Sequence, residues 1–431
     1  MRAVRIADLL AVPATAAYFC DDQAAIKADA VADGLAYHGT PVTPGFTAIR
    51  SPAAAVSVLL VLEDGYVALG DCVNVQYSGV GGREAPLDPH ALAEIFNRSI
   101  APALRGLRVG QFRATLQMLE QLDQEVDGFG MAAAYGLSQA LLDVVAHAGR
   151  CTMADVIRNE WEVPGVLQPV PVFAQCGEER YRNVDKMILK AADSLPHGLI
   201  NARGLVGDSG QALVEYVRWV SERVVRLRSH EGYVPILHFD VYGLIGTACE
   251  GNLHRIIQVI AEMAAAARPF RLRVEHPFDA GNRDAQIAGF AKLRALLEEE
   301  NVHAEIVADE WANTLEDIRA FNRVRAAHVM QIKAPDLGAI HNVVEAIANC
   351  RRHGVVAHLG GSCCETDLSA RVSVHVALGA HADQLLAKPG MGVDEGLSIV
   401  RNEMGRTLAL ARRTWQSNSR SDVNQASHRP P

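Results

Sequence analysis

Several absences narrow the possibilities for this 431-residue chain. It has no run of about 18 uninterrupted apolar residues, the length a membrane-spanning helix needs, so no span is expected. Its N-terminus, Met1-Arg-Ala-Val-Arg-Ile-Ala-Asp8, carries basic residues, but Asp8 breaks the apolar stretch before one of signal length forms. A basic excess is also missing. The net charge is −9 and the sequence pI about 6.0, which argues against general nucleic-acid binding. The eight cysteines form no C-x-x-C pair, so zinc-ribbon and thioredoxin-like readings fail. Apart from the vicinal Cys363-Cys364 they are scattered, and a reduced, cytoplasmic protein is the expectation. What the chain does have is apolar content. A hydrophobic fraction of 49% with 21% charged residues supports a substantial core and excludes wholesale disorder.

The first 110 residues read as β-rich. Val56–Glu63 and Tyr66–Gly70 flank Asp64-Gly65, a strong hairpin signal, and an earlier antiparallel strand is expected near residues 3–12. Helical spacing follows over Asp88–Ile100, Val109–Leu122 and Met131–Ala148. From about residue 168 strands and helices alternate. Strands are expected at Val170–Gln175, Lys186–Ala191 and Gly198–Asn201, then ending at Asp240, Glu275, Asp309 and Lys333, then at Val355–His358 and Gln384–Lys388. Seven or eight strand-helix units suit a (β/α) barrel better than an open sheet. The division expected is an N-terminal α+β domain over 1–165, a barrel over 166–412, and a disordered polar tail over 413–431.

Three of those strands end in an acid: Ile236-Leu-His-Phe-Asp240, Leu272-Arg-Val-Glu275 and Glu305-Ile-Val-Ala-Asp309. A fourth, His328-Val-Met-Gln-Ile-Lys333, ends in a lysine. Parallel strands put their C-terminal ends on one face, so three carboxylates and an amine should converge. Single acids at strand ends are commonly solvated or cap helices; three at near-equal intervals after apolar runs point to a site. Magnesium, a hard cation with oxygen ligands, is the natural occupant, and manganese also fits. Burial and a nearby cation favour the neutral, basic form of Lys333. A rim pair with Asp336 or a Schiff-base role are the alternatives. Histidine as a residue type serves as acid or base near neutral pH, and for His197, in Leu195-Pro-His-Gly-Leu-Ile200, spacing leaves both a structural and an acid/base role open. The segment Gln76-Tyr-Ser-Gly-Val-Gly-Gly-Arg83 lacks the ending of a P-loop and reads as a lid, with Gln76 a candidate substrate contact, or as a surface turn. Backbone N–H groups of Gly360-Gly-Ser-Cys-Cys-Glu-Thr366 could bind a carboxylate.

These segments, with Phe173-Ala-Gln-Cys-Gly177, His238-Phe-Asp-Val-Tyr-Gly243, Glu275-His-Pro-Phe278, Ala308-Asp-Glu-Trp-Ala-Asn313, Gln331-Ile-Lys-Ala-Pro-Asp-Leu-Gly338 and Lys388-Pro-Gly-Met-Gly392, make the chain resemble the methylaspartate ammonia-lyases of the enolase superfamily over about residues 1–412. The resemblance implies a modified TIM barrel under an N-terminal α+β capping domain, usually as a homodimer. It implies reversible, magnesium-assisted loss of ammonia from L-threo-3-methylaspartate to give mesaconate, with potassium as an activator. By matching position, Asp240, Glu275 and Asp309 would bind the metal, Lys333 would take the C3 proton, and His197 would act on the other face. Gln76, Gln175, Gln331, Ser362 and Cys363 would contact substrate. Ser362 stands where the family usually has threonine, and Cys364 where asparagine is expected. An acid-sugar dehydratase or racemase fits the base motifs less well. A silent, dicarboxylate-binding barrel has the intact Lys333, His197 and three acids against it.

Overall fold

The computed structural model describes residues 3–28 and 30–426, with side chains through residue 413. Strands β1 (Val4–Asp21), β2 (Val31–Asp33), β3 (Ala36–His38), β4 (Arg50–Leu62), β5 (Val67–Val73) and β6 (Arg108–Val109) precede the barrel. Four of them form an antiparallel sheet in the order β5-β4-β1-β6, and β2 pairs with β3 in a separate ribbon. The β4-β5 hairpin turns on Asp64-Gly65 as the sequence predicts. Gly65 takes φ +86, and the Asp64 carboxylate accepts the Tyr66 N–H at 3.2 Å. β1 is longer than expected, because a register shift between Thr15 and Phe19 lets it pair again with the start of β4.

The helix Gly130–Gly149 covers the inner face of this sheet and is apolar almost all round. Its axis comes unusually close to β5. A Cβ at Gly70 would lie 2.0 Å from the Gly136 carbonyl oxygen, and a Cβ at Gly136 would lie 2.4 Å from Cys72 Sγ. The two glycines are what allow the helix to seat here.

The remaining chain makes eight parallel strands that close on themselves: β7 (Val172–Phe173), β8 (Ser194–His197), β9 (Ile236–Asp240), β10 (Leu272–Glu275), β11 (Ala304–Ala308), β12 (Val329–Ile332), β13 (Val356–Leu359) and β14 (Gln384–Leu386). Helices return the chain outside the barrel. Their starts are fixed by side-chain caps such as Asn282 and the Thr314/Asp317 and Thr366/Ser369 boxes. Helix Leu253–Ala267 buries Ile256, Ile257, Ile260 and Met263, each contributing about 1.5–3 kcal/mol of apolar burial.

Four expectations differ from the structure. Lys186–Ala191, read as a strand, lies at the end of helix Arg180–Leu189. Val184, Met187 and Ile188 all face inward from that helix, at helical spacing. The strand itself is Ser194–His197, and Gly198–Asn201 is irregular chain after it. The helix expected from Val109 begins only at Leu116, because Val109 pairs with Val4 in the sheet. The last helix is continuous from Asp394 to Ala426, across the start of the tail expected at 413; residues 427–431 of that tail lie outside the described residues.

Candidate active site

The chemistry-bearing residues occupy five consecutive strands of the barrel. In order around the rim they are His197 at the end of β8, Asp240 ending β9, Glu275 ending β10, Asp309 just after β11, and Lys333 just after β12. Asp240 and Glu275 stand directly opposite one another in the ladder, so both side chains leave the same face. All five are buried, between 1% and 8% exposed. Backbone in the left-handed region recurs at this rim: His197, Tyr242, His276 and Trp311 have φ of 68°, 50°, 47° and 68°. Non-glycine residues held this way mark functional rims, because surrounding structure must stabilise them.

The three acids present one oxygen each within 4.8 Å of one another. Burial first, then the charges of Asp240 and Asp309, push the Glu275 carboxyl well above its usual range. Burial and Glu310 push Asp309 up to about 8 against Lys333 and Arg83. Three acids this close and this dry do not ionise together without a cation. Their oxygens fit a hard divalent ion, and Asp309 Oδ1 completes no aligned hydrogen bond. Glu275 is oriented from behind. His238 Nε2 lies 2.7 Å from its Oε2, and Gln331 donates Nε2–H to its Oε1 at 3.2 Å. His238 is fully buried, stacked on Phe173, and burial holds it neutral, so Nε2–H donates.

Lys333 flanks the triad on one side, with Nζ 2.6 and 2.8 Å from the two Asp309 oxygens. Burial and Arg83 favour its neutral form, but Asp309, Glu310 and Asp336 outweigh them and hold its pKa above the ordinary lysine value. These are the protein's own charges; the neutral form expected for Lys333 depends also on a cation at the triad. Lys333 pairs with Asp309, while Asp336 accepts from Arg83 Nε at 2.7 Å, so the rim pair with Asp336 is not formed. His197 flanks the other side, with Nε2 3.4 Å from Asp240 Oδ2. Its Nδ1 accepts the Leu199 N–H at 3.3 Å, which places the ring proton on Nε2 in the neutral tautomer.

The five expected substrate contacts come to the same pocket, which Lys333, His197, Asp240 and Glu275 also line. Gln175 donates to the Gly390 carbonyl at 3.0 Å. Gln331 Oε1 is buried and finds no hydrogen-bond partner among the described residues. Gln76 arrives from the sheet domain, its backbone N–H donating to Ser362 Oγ at 2.8 Å, and Cys363 completes the wall. A groove at the opposite end of the barrel, lined by Arg271, Glu305 and His328, gathers no comparable set; there Glu305 is spent on Arg271 and Arg273.

Sequence reasoning missed some residues here. Arg83, whose side chain is 1% exposed, carries the glycine-rich segment onto the barrel, reaching Asp336, Asp309 and Glu310. Glu310 is held well below its usual pKa despite burial by His276, Lys333 and Arg83. Glu365 and Lys388 form an ion pair beneath the Gly360–Cys364 turn. Arg83 was visible only as the end of the glycine-rich motif; the Lys388-Pro-Gly-Met-Gly392 motif gave no hint of a partner.

Known proteins resemble this chain in sequence and in fold. The family model for the methylaspartate ammonia-lyase N-terminus matches residues 4–162, and the model for its C-terminus matches residues 165–413. The methylaspartate ammonia-lyase of Clostridium tetanomorphum is 46% identical over 411 residues, 95% of this chain and 100% of that protein. The methylaspartate ammonia-lyase of Citrobacter amalonaticus, solved containing (2S,3S)-3-methylaspartic acid, superposes with a TM-score of 0.91 at 45% identity, covering 95% of this chain and 100% of that one. The magnesium complex of beta-methylaspartase from Clostridium tetanomorphum gives 0.88 at 46%, covering 95% and 100%. A muconate lactonizing enzyme from Pseudomonas fluorescens, 17% identical with a TM-score of 0.62 and covering 92% and 89%, shares the fold alone. Across nearly its whole length, in sequence and in its capped-barrel fold, the chain belongs to the methylaspartate ammonia-lyase family, and is a carbon–nitrogen lyase.

Proposed function

We propose that the chain eliminates ammonia reversibly from L-threo-3-methylaspartate to give mesaconate, by removal of the C3 proton through an enediolate. The observation that carries this reading is the order around the rim: three acids flanked by a lysine on one side and a histidine on the other. Lys333 takes the C3 proton of the threo substrate, and His197 serves the opposite face of C3. The C3–H bond breaks toward Lys333, its electron pair passes into the adjacent carboxylate as the enediolate and then forms the C2=C3 bond, and the C2–N bond breaks to release ammonia. Asp240, Glu275 and Asp309 are the residues that would hold the magnesium ion. A divalent cation held there supplies positive charge for the substrate carboxylate as C3 loses its proton, and positive charge that opposes protonation of Lys333. Ser362, Cys363, Gln76, Gln175 and Gln331 bind and orient the substrate.

In domain terms, a cap of residues 1–165 supplies Gln76 and Arg83, and a barrel of residues 166–412 supplies the remainder. The all-oxygen donor set also suits manganese as a substitute ion, and the resemblance supports potassium as an activator without assigned ligands and a homodimer. The test follows the ultraviolet absorbance of mesaconate's conjugated double bond after substrate is added with magnesium and potassium. A rise that EDTA abolishes and magnesium restores is expected. No rise from folded, magnesium-loaded protein would sink the assignment.

A further inference from the structure

Beneath the Gly360–Cys364 turn lies an ion pair that the reaction above does not use. Lys388 and Glu365 are both fully buried, with Nζ 2.7 Å from Glu365 Oε1. Lys388 also donates to the Gly360 carbonyl at 2.8 Å. Glu365 Oε1 accepts the Ser362 N–H at 3.0 Å, and Oε2 accepts the Tyr135 hydroxyl of the cap helix at 3.0 Å. The turn's other groups are tied as well. Ser362 Oγ accepts N–H bonds from Gln76 and Cys364, and the Cys363 carbonyl accepts from Gly390, two residues beyond Lys388. At Gly361, with φ +135, a Cβ would lie 2.1 Å from Glu365 Oε1 and 2.3 Å from Lys388 Nζ. The turn is thus moulded on the pair.

A buried ion pair is a poor source of stability, since apolar residues of similar volume fill such a space at lower desolvation cost. Its value lies in geometry: here it fixes both a carbonyl and an N–H of one turn. We propose that Lys388 and Glu365 are positioning residues for substrate binding, holding the 360–364 turn so that Ser362 and Cys363 face the substrate, and tying its shape to the cap through Tyr135. The proposal rests on the reading that Ser362 and Cys363 contact substrate.

Two variants test it in the full-length, magnesium-loaded enzyme. The double variant Lys388→Met with Glu365→Gln removes both charges together and avoids leaving either one unpaired. Tyr135→Phe removes one hydroxyl and keeps the packing. KM for L-threo-3-methylaspartate should rise at least about fivefold in each, the equivalent of a modest hydrogen bond lost from substrate positioning. kcat should change less, and magnesium affinity by calorimetry should stay the same. A lower melting temperature with unchanged KM would reduce the pair to core filling and overturn the proposal. A parallel fall in magnesium affinity would mean general support of the rim and overturn it too. If the double variant fails to fold, Tyr135→Phe decides. Ser362→Ala and Cys363→Ala serve as controls. If they leave KM unchanged, the underlying reading of the turn fails; if they raise it while the pair variants do not, only the positioning role falls.

Discussion

At the scale of single residues the site is a contest over where positive charge sits. Lys333 would compete with a cation at the triad for Asp309, whose carboxylate pairs with the amine and also belongs to the acid cluster. Removing the amine should leave the metal site intact and remove the base. Lys333→Ala is therefore expected to lower turnover of L-threo-3-methylaspartate at least about 10²-fold, the usual scale of a lost general base; near-normal turnover by the folded variant would refute the role. Asp240→Asn acts on the other partner. It keeps the volume and removes one charge from the triad, so calorimetric titration should show weaker magnesium binding, and an unchanged titration would remove Asp240 from the ligand set. The triad and Lys333 were legible in the sequence because each follows a short apolar run, and strand ends of a barrel share a rim. Arg83 was not legible as a rim residue, because its partner Asp336 lies 253 residues away and only the folded chain joins them.

At the scale of elements, pattern succeeded where one face of an element is buried and failed where the chain is short or crowded. The helix expected over Met131–Ala148, found at Gly130–Gly149, and the Asp64-Gly65 hairpin were read correctly. β8 is only four residues long and contains Pro196, so its signal was weaker than that of the apolar run Met187-Ile-Leu189 nearby, which is helical. The close seating of helix Gly130–Gly149 on β5 left no readable trace beyond two glycines, yet it makes a prediction whose sign opposes propensity. Glycine to alanine within a helix ordinarily stabilises by up to about 1 kcal/mol. At Gly136 the new methyl would meet Cys72 Sγ at 2.4 Å and Cys72 N at 2.6 Å, one of them backbone. Gly136→Ala should instead destabilise by about 1–3 kcal/mol, as overpacked cores do. Urea unfolding monitored by circular dichroism measures this, and a stabilised variant would show that the helix can back away from the sheet.

At the scale of the whole molecule, cap and barrel are joined by buried polar contacts, and histidines kept neutral by burial are prominent among the groups inside. His238 and His358 sit inside the barrel, held well below the usual histidine pKa by burial first and then by neighbouring positive groups. His341 joins the two regions. Its ring stacks on Phe112 with centroids 4.0 Å apart, and Nε2 donates to the Phe112 carbonyl at 2.8 Å. Burial lowers its pKa to about 4, only partly opposed by that hydrogen bond. A histidine with a depressed folded pKa stays neutral in the fold and takes up a proton in the unfolded chain. Its stabilising contribution is whole above about pH 6.5 and is lost as pH falls from there toward about 4. Unfolding in that window therefore consumes protons. Calorimetry in buffers of different ionisation enthalpy counts them, with saturating magnesium present to hold the triad in one state. At about pH 5.5, His341→Gln should unfold with close to one proton fewer than the parent and with a melting temperature less sensitive to acid. An unchanged proton count would mean that His341 is already charged in the fold, and that the contact between Phe112 and the barrel helix Ile340–His353 is made by an imidazolium rather than a neutral ring.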